Sequence, residues 1–159
     1  MEQQERGAKA GAVGDPVQAQ RQMPLRLAKA LIARIEEEAS LRGVNAVIAV
    51  SDAAGHPVAV HCMDGAYIGS YDVALNKAFT AAAFQRSTKE LGEQAQPGAP
   101  LYGIQFTNGG RIVVFGGGEP LTQDGGVIGA LGVSGGTAEQ DTALAEYGKT
   151  ILKEVISCL

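Results

Sequence analysis

Apolar residues in the first third of the chain change their spacing from four to two, and each spacing predicts a different element. After Pro24 every fourth residue is apolar, which predicts a helix that Gly43 can close in the left-handed conformation. Residues 44–51 alternate with a period of two, and residues 57–62 form a second such run after a turn. We therefore expect an antiparallel hairpin after the helix. The helix stripe consists of Leu27, Leu31, Ile35 and Ala39.

Capping residues predict three helices after the hairpin. Ser70 can cap an Ala-rich helix that continues to about residue 84. Ser87 and Glu90 have the spacing of a capping box and indicate a short helix. Thr137 and Gln140 form the same pattern before the final helix, whose predicted buried stripe is Leu144, Tyr147, Ile151 and Val155.

Glycine-rich segments separate the strands predicted between these helices. Residues 111–115 and 127–133 are β-branched or alternating runs, connected through residues 116–118 and 124–126, and a further short strand can precede Asn108. The element order is then α-β-β-α-α-β-β-β-α. This order predicts an α/β (α+β) fold in which one five-stranded antiparallel sheet is flanked by helices, as in profilin-like and PAS-like folds.

Length and composition limit the domain organisation and the class of partner. A chain of 159 residues can bury one core, so we expect a flexible N-terminal arm over residues 1–22 and a single domain over 23–159. The 13 Lys and Arg against 17 Asp and Glu, with no basic run, argue against nucleic-acid binding. No apolar run reaches the ~20 residues that span a bilayer, and no secretion signal is visible, so a cytoplasmic protein is expected.

A cluster of possible metal ligands lies at the end of the second predicted strand. His56 and His61 are five residues apart and face opposite sides of a strand, so they cannot chelate one ion together. His61 is followed by Cys62, Met63 and Asp64, which puts soft and hard ligands for a metal or haem iron at the end of the strand. The alternative is a packing role at the strand edge.

Two cations and one turn are candidates for binding an anionic ligand. Ser134, Gly135, Gly136 and Thr137 connect a strand to a helix, where backbone N–H groups suit a carboxylate, although an ordinary capped turn would have the same sequence. Lys77, on the Ala-rich helix, could be an anion anchor or a base; the alternative is a salt bridge to Asp52 or Asp64. Arg111 could also face an anion, or it could be an exposed strand residue.

Several sequence blocks together resemble the GlcG/HbpS family, which includes haem-binding proteins and a domain attached to PduO-type corrinoid adenosyltransferases. The blocks are IAVSDAAGHPVAV, MDGA, NKAFTAAAF, GGRIVVFGGGEPL and VIGALGVSGGTAEQD, in order from about Pro24 to Leu159. The resemblance implies a profilin-like domain that forms dimers or larger assemblies, commonly octamers. His61 and Cys62 stand where the family more usually has an arginine, and Ser51 where a second Val is common. The pocket residues that the resemblance implies are Asp64, Lys77, Arg111, Gly135 and Glu139.

Two functions follow from this reading. The first is a binding module for haem, a corrinoid or another carboxylate-bearing ligand, in which Lys77, Arg111 and the turn at 134–137 pair with carboxylates. The alternative is an enzyme acting on a small organic acid in a catabolic operon, with Lys77 or Glu139 as general acid/base. In both cases we expect at least a homodimer, because the first helix and the Ala-rich helix carry apolar residues on more than one face.

Overall fold

The computed structural model describes residues 22–159, and nearly all of the predicted arm at residues 1–22 lies outside that range. Two 3-10 turns, Ile104–Phe106 and Asn108–Gly110, separate the third helix from the third strand. Within the described residues no helix is both long and apolar enough to cross a membrane. The remaining elements are α1 (Leu25–Leu41), β1 (Val47–Asp52), β2 (Pro57–Cys62), α2 (Ser70–Phe84), α3 (Thr88–Gln94), β3 (Gly118–Gln123), β4 (Gly126–Ser134) and α4 (Ala138–Ser157).

The strands form one antiparallel sheet in the order β2-β1-β4-β3. Val47, the first residue of β1, pairs with Cys62 on one side and with Ser134 on the other. The other end of β1 continues into the turn that contains Gly55. The sheet therefore has two distinct ends, which we call the Val47 end and the Gly55 end.

Helices cover both faces of the sheet. Helices α1 and α4 pack together on one face, where they share the main core with inward residues of β1 and β4. Helix α2 lies on the other face, and its small side chains allow it to approach β1 and β4 closely. At Gly132 an added Cβ would overlap the carbonyl oxygen of Ala74, so α2 and β4 meet almost backbone to backbone. The Ala-rich sequence of α2 thus reflects close helix–sheet packing.

The predicted sheet of five strands is wrong, because the sheet formed by the described residues has four. Residues 111–115, although mostly β-branched, are not a strand. The Thr80 hydroxyl accepts from Val113 N–H at 3.1 Å and donates to the Asn76 carbonyl at 2.7 Å, and its oxygen lies 3.3 Å from the Arg111 carbonyl. The segment before Asn108 is a 3-10 turn. The strand beside β4 is instead β3, which contains Pro120, a residue tolerated here because β3 is at the edge of the sheet.

Candidate functional site

A small cavity lies at the Val47 end of the sheet, where the loops after α1, β2 and β4 converge. Its volume is about 230 Å³. Gly135 fits into its wall only because it has no side chain, since a Cβ there would overlap the Asn45 carbonyl. The loop after β2 also contains the exposed Asp64. The lining residues are Gly43, Val44, Asn45, Gly65, Tyr67, Gly135, Gly136 and Gln140.

The turn from Ser134 to Thr137 forms part of this cavity, but two of its backbone donors already have acceptors. Gly136 N–H donates to Asp141 Oδ1 at 2.8 Å, and Thr137 N–H donates to Gln140 Oε1 at 2.9 Å. The Thr137 hydroxyl accepts from Gln140 N–H in return, which confirms the predicted capping box. The protein's own side chains therefore occupy these two N–H groups and hold the turn in place.

Lys77 is fully buried beneath this turn. Its Nζ donates to the Val133 carbonyl at 2.8 Å and to Asp141 Oδ2 at 2.9 Å, and it lies 5.1 Å from the centre of the Phe115 ring. Burial lowers the pKa of Lys77 below its ordinary value, and the adjacent Asp141 carboxylate opposes that shift. The predicted alternative of a salt bridge to Asp52 or Asp64 is wrong, because the partner is Asp141.

Asp141 is the residue that sequence reasoning missed. In the sequence it is an acid in the first turn of α4, where an exposed carboxylate would interact favourably with the helix dipole. It is in fact only 3% exposed, on the same stripe as the buried residues Leu144, Gly148 and Ile151. Its spacing from Leu144, Gly148 and Ile151 could have predicted this burial from the sequence, since a carboxylate on an apolar helix face needs a buried partner.

Arg111 lies away from the cavity. Its guanidinium stacks on Phe79 with Cζ 3.6 Å from the ring centre, and Phe79 in turn packs against Gly55. The six-residue length of β1, at about 3.3 Å per residue, puts the two sheet ends roughly 17 Å apart. Among residues 22–159 no carboxylate forms an ion pair with Arg111. The structure therefore does not bring Arg111 together with the turn at residues 134–137.

The remaining candidates have separate surroundings. His61 Nδ1 lies 2.8 Å from Glu36 Oε1, and Met63 Sδ accepts from Ala46 N–H at 3.4 Å. Glu139 is exposed and lines a different cavity of about 350 Å³, to which Lys77 does not contribute. The two candidate acid/base groups of the enzyme hypothesis, Lys77 and Glu139, are thus not assembled in one cavity.

A four-stranded antiparallel sheet with helices on both faces and a cavity between loops at one strand end is an architecture that suits a small binding domain. Residues 23–149 match the family model described as "Haem degrading protein HbpS-like". The chain belongs to this HbpS-like family, which confirms the resemblance drawn from its sequence blocks.

Three relatives illustrate the similarity. An uncharacterised 15.0 kDa protein from the dhaT-dhaS intergenic region of Citrobacter freundii is 48% identical over 131 residues, 82% of this chain and 92% of that protein. The crystal structure of ORFY from Klebsiella pneumoniae is 38% identical, with a TM-score of 0.84 over 89% of this chain and 98% of the other. A structure described as a PduOC:haem complex is 36% identical, with a TM-score of 0.78 over 81% of this chain and 94% of that one.

Proposed function

We propose that this protein binds haem, or a related planar ligand that carries carboxylates, at the Val47 end of its sheet. The observation that carries the proposal is the PduOC relative, which was crystallised with haem and shares 36% of its sequence with this chain. A family described as haem-degrading supports the same ligand class. A corrinoid is the second ligand to test, because it is also a macrocycle held around one metal ion.

The shape of the Val47 end fits part of such a ligand. A volume of about 230 Å³ is below the 300–1,000 Å³ of typical ligand pockets, so the cavity can enclose one substituent but not a whole macrocycle. Tyr67 lines the cavity and is 75% exposed, and the next residue, Ile68, is 94% exposed. We propose that a propionate enters the cavity beside Asn45 and that the ring lies across Tyr67 and Ile68.

The buried cation has a supporting role in this proposal. Lys77 has no exposed surface and donates to two oxygens of the protein. Through Asp141 it fixes Gly136, which lines the cavity. Lys77 therefore supports the turn from beneath and does not contact the ligand. Arg111, at the Gly55 end, is outside the proposed contact surface.

Titration of the purified chain with haemin, followed by the shift of the Soret band, tests the proposal. We expect saturable binding at one haem per chain or per symmetric pair of chains. Tyr67→Ser should weaken binding about 5- to 10-fold, the scale expected when a stacked aromatic ring is lost. Leu25→Ser is the control, because Leu25 is also a largely exposed apolar side chain (57%) but lies at the start of α1 and does not line the cavity.

The same titration separates the alternative ligands and activities. Haemin dimethyl ester should bind more weakly than haemin if a propionate enters the cavity, and cobalamin competition tests the corrinoid. Adding ascorbate in air to the haem complex distinguishes a carrier, whose Soret band persists, from a haem-degrading enzyme, whose band decays to an open-chain tetrapyrrole. No saturable shift with haemin would exclude haem as the ligand.

A further inference from the structure

His61 and Glu36 form a contact that fixes which nitrogen of the imidazole is free. His61 lies near the end of β2 and Glu36 on α1, with Nδ1 and Oε1 2.8 Å apart. A carboxylate can only accept, so Nδ1 carries the hydrogen, and in the neutral ring Nε2 keeps its lone pair. The His61 side chain is 40% exposed, so this nitrogen can be reached from outside.

This arrangement is the one found around histidines that bind metals. A metal-ligating histidine almost always donates its second N–H to a carboxylate, a carbonyl or water, which orients the ring and makes the free nitrogen more basic. Ala59, two residues before His61 on β2, and Met63, just after the strand, lie on the same side of the chain as His61. Both side chains pack against the apolar core. His61 is therefore an oriented donor with apolar flanks.

The number of ligands decides which kind of metal centre is possible. Within residues 22–159 no group of three or more His, Cys, Asp and Glu side chains could hold a metal ion. A single imidazole cannot retain a free Zn²⁺ ion, which proteins bind through three or four side chains. It can fill one axial position of an iron whose four equatorial ligands come from a porphyrin.

We infer that His61 Nε2 is the protein's ligand to haem iron and that Glu36 is its positioning residue. The inference rests on the proposed haem binding and deepens it. His61 does not line the cavity, but it lies at the same end of the sheet: β2 ends one residue later, and the Met63 N–H donates to the carbonyl of Ala46, the neighbour of the cavity residue Asn45.

Spectroscopy of the haem complex tests the inference without any activity assay. The chain has two histidines, so a histidine-ligated iron must use His61 or His56. We expect His61→Ala to lose the Fe–His stretching band in the resonance Raman spectrum of the ferrous complex, and added imidazole to restore a histidine-type Soret spectrum. His56→Ala is the matched control: its side chain is 79% exposed, with Nδ1 3.4 Å from Asp52 Oδ2, and its removal should leave the spectrum unchanged.

Glu36→Gln separates positioning from folding. Glutamine can still accept a hydrogen bond from Nδ1 but has no charge. Nε2 therefore becomes a weaker electron-pair donor to the iron, and the Fe–His stretching frequency should fall. A bystander carboxylate would leave the frequency unchanged. This variant keeps the size of the side chain, and circular dichroism verifies that it folds.

The possible results are distinguishable. If the wild-type chain gives no saturable haemin shift, the proposed function fails. If it binds haemin but His61→Ala keeps the same spectrum, or if the iron shows the thiolate-type spectrum expected from neighbouring Cys62, only the present inference is overturned. If His61→Ala does not fold, His56→Ala tests the inference instead. His61 is the one histidine left in that variant, so the Fe–His band must persist if His61 is the ligand.

Discussion

Lys77 and Asp141 form an ion pair in which Nζ and Oδ2 are 2.9 Å apart and neither side chain is more than 5% exposed. The same carboxylate accepts from Gly136 N–H, and the same ammonium donates to the Val133 carbonyl. One buried pair therefore connects α2, the end of β4 and the first turn of α4. Any change to it should alter the stability of the domain before it alters ligand contacts.

Replacing Lys77 with Met should destabilise the fold strongly. The variant removes the charge and leaves the Asp141 carboxylate buried without its cation, a situation that costs about 3 to 5 kcal/mol. Urea unfolding measures this loss directly. The haemin affinity of the folded fraction should change less than 3-fold, about 0.6 kcal/mol, if Lys77 does not touch the ligand.

Asp141→Asn separates the charge from the hydrogen bond. An asparagine oxygen can still accept from Gly136 N–H, so the turn should keep its shape, while Lys77 loses its counter-charge. The double variant Lys77→Met/Asp141→Asn should be more stable than the sum of the single losses predicts. Normal stability of Lys77→Met together with haemin binding weakened more than 10-fold would instead make Lys77 a ligand contact.

Glu119 should make the stability of the domain depend on pH. Burial raises the pKa of Glu119 above its ordinary value of 4.5, the neighbouring Glu146 and Glu90 add to the rise, and Lys149, 2.9 Å away, opposes it. Between 4.5 and the raised value the folded chain binds more protons than the unfolded chain. The free energy of unfolding that Glu119 contributes is therefore largest in acid and falls as the pH rises through this window.

Glu119→Gln should remove that part of the pH dependence. The difference in unfolding free energy between wild type and variant, measured by urea denaturation from about pH 4 to pH 7, is expected to decrease steadily with pH. Glu139→Gln, which removes one exposed carboxylate, is the control for the loss of a negative charge at the surface. A wild-type stability that instead rises relative to Glu119→Gln over this range would contradict the prediction.

Elements with local signals could be predicted from the sequence. The capping box at Thr137 and the alternating pattern of β2 depend on neighbours within a few positions, and the structure confirms α4 and β2. Helix α2 also forms, but the predicted cap at Ser70 is wrong, because Ser70 is the first helical residue and Gly69 is the N-cap, with no side-chain hydrogen bond. Strand β3 was missed because Gly118 and Pro120 are depleted in strands, and only its edge position permits them. The irregular path of residues 111–115 depends on Thr80, 33 positions before the Val113 that it binds.

The candidate site shows the same division between local and distant signals. The turn at Gly135 and Gly136 could be located because a strand, two glycines and a helix cap are adjacent in sequence. The partner of Lys77 could not, since Asp141 is 64 positions away. Arg111 was assigned to the same site from the resemblance, and only the position of Phe79 near the Gly55 end shows otherwise.

Gly132→Ala should severely destabilise the fold, because the new Cβ would overlap the carbonyl oxygen of Ala74 and lie 2.7 Å from the nitrogen of Ala78. Both are backbone atoms of α2, so the helix must move away from the sheet, at a cost of about 1 to 3 kcal/mol or more. Gly69→Ala is the matched control, since Gly69 has open space and no positive φ. Thermal unfolding that ranks the two variants equally would refute this account of the α2–β4 contact.

Self-association is expected to use the segment between α3 and β3. The apolar faces of α1 and α2 that first suggested a dimer are largely buried within the chain, but Tyr102 and Phe106 are 61% and 79% exposed. Between them, Gln105 Oε1 is buried without a hydrogen-bond partner among the described residues. A second copy would cover the two rings and could supply a donor to Gln105.

Light scattering at micromolar concentration should therefore return at least a dimer mass, and Phe106→Ser should shift it towards the monomer. The Phe106 ring is exposed to water in the monomer, so its replacement should not affect folding. In a dimer the same replacement removes apolar contact area from the interface and should weaken association. Leu41→Ser controls for a general effect of surface polarity, because Leu41 is 84% exposed at the end of α1. A monomeric wild type would refute self-association, whereas a dimer that resists Phe106→Ser but dissociates in Leu41→Ser would move the interface to the end of α1.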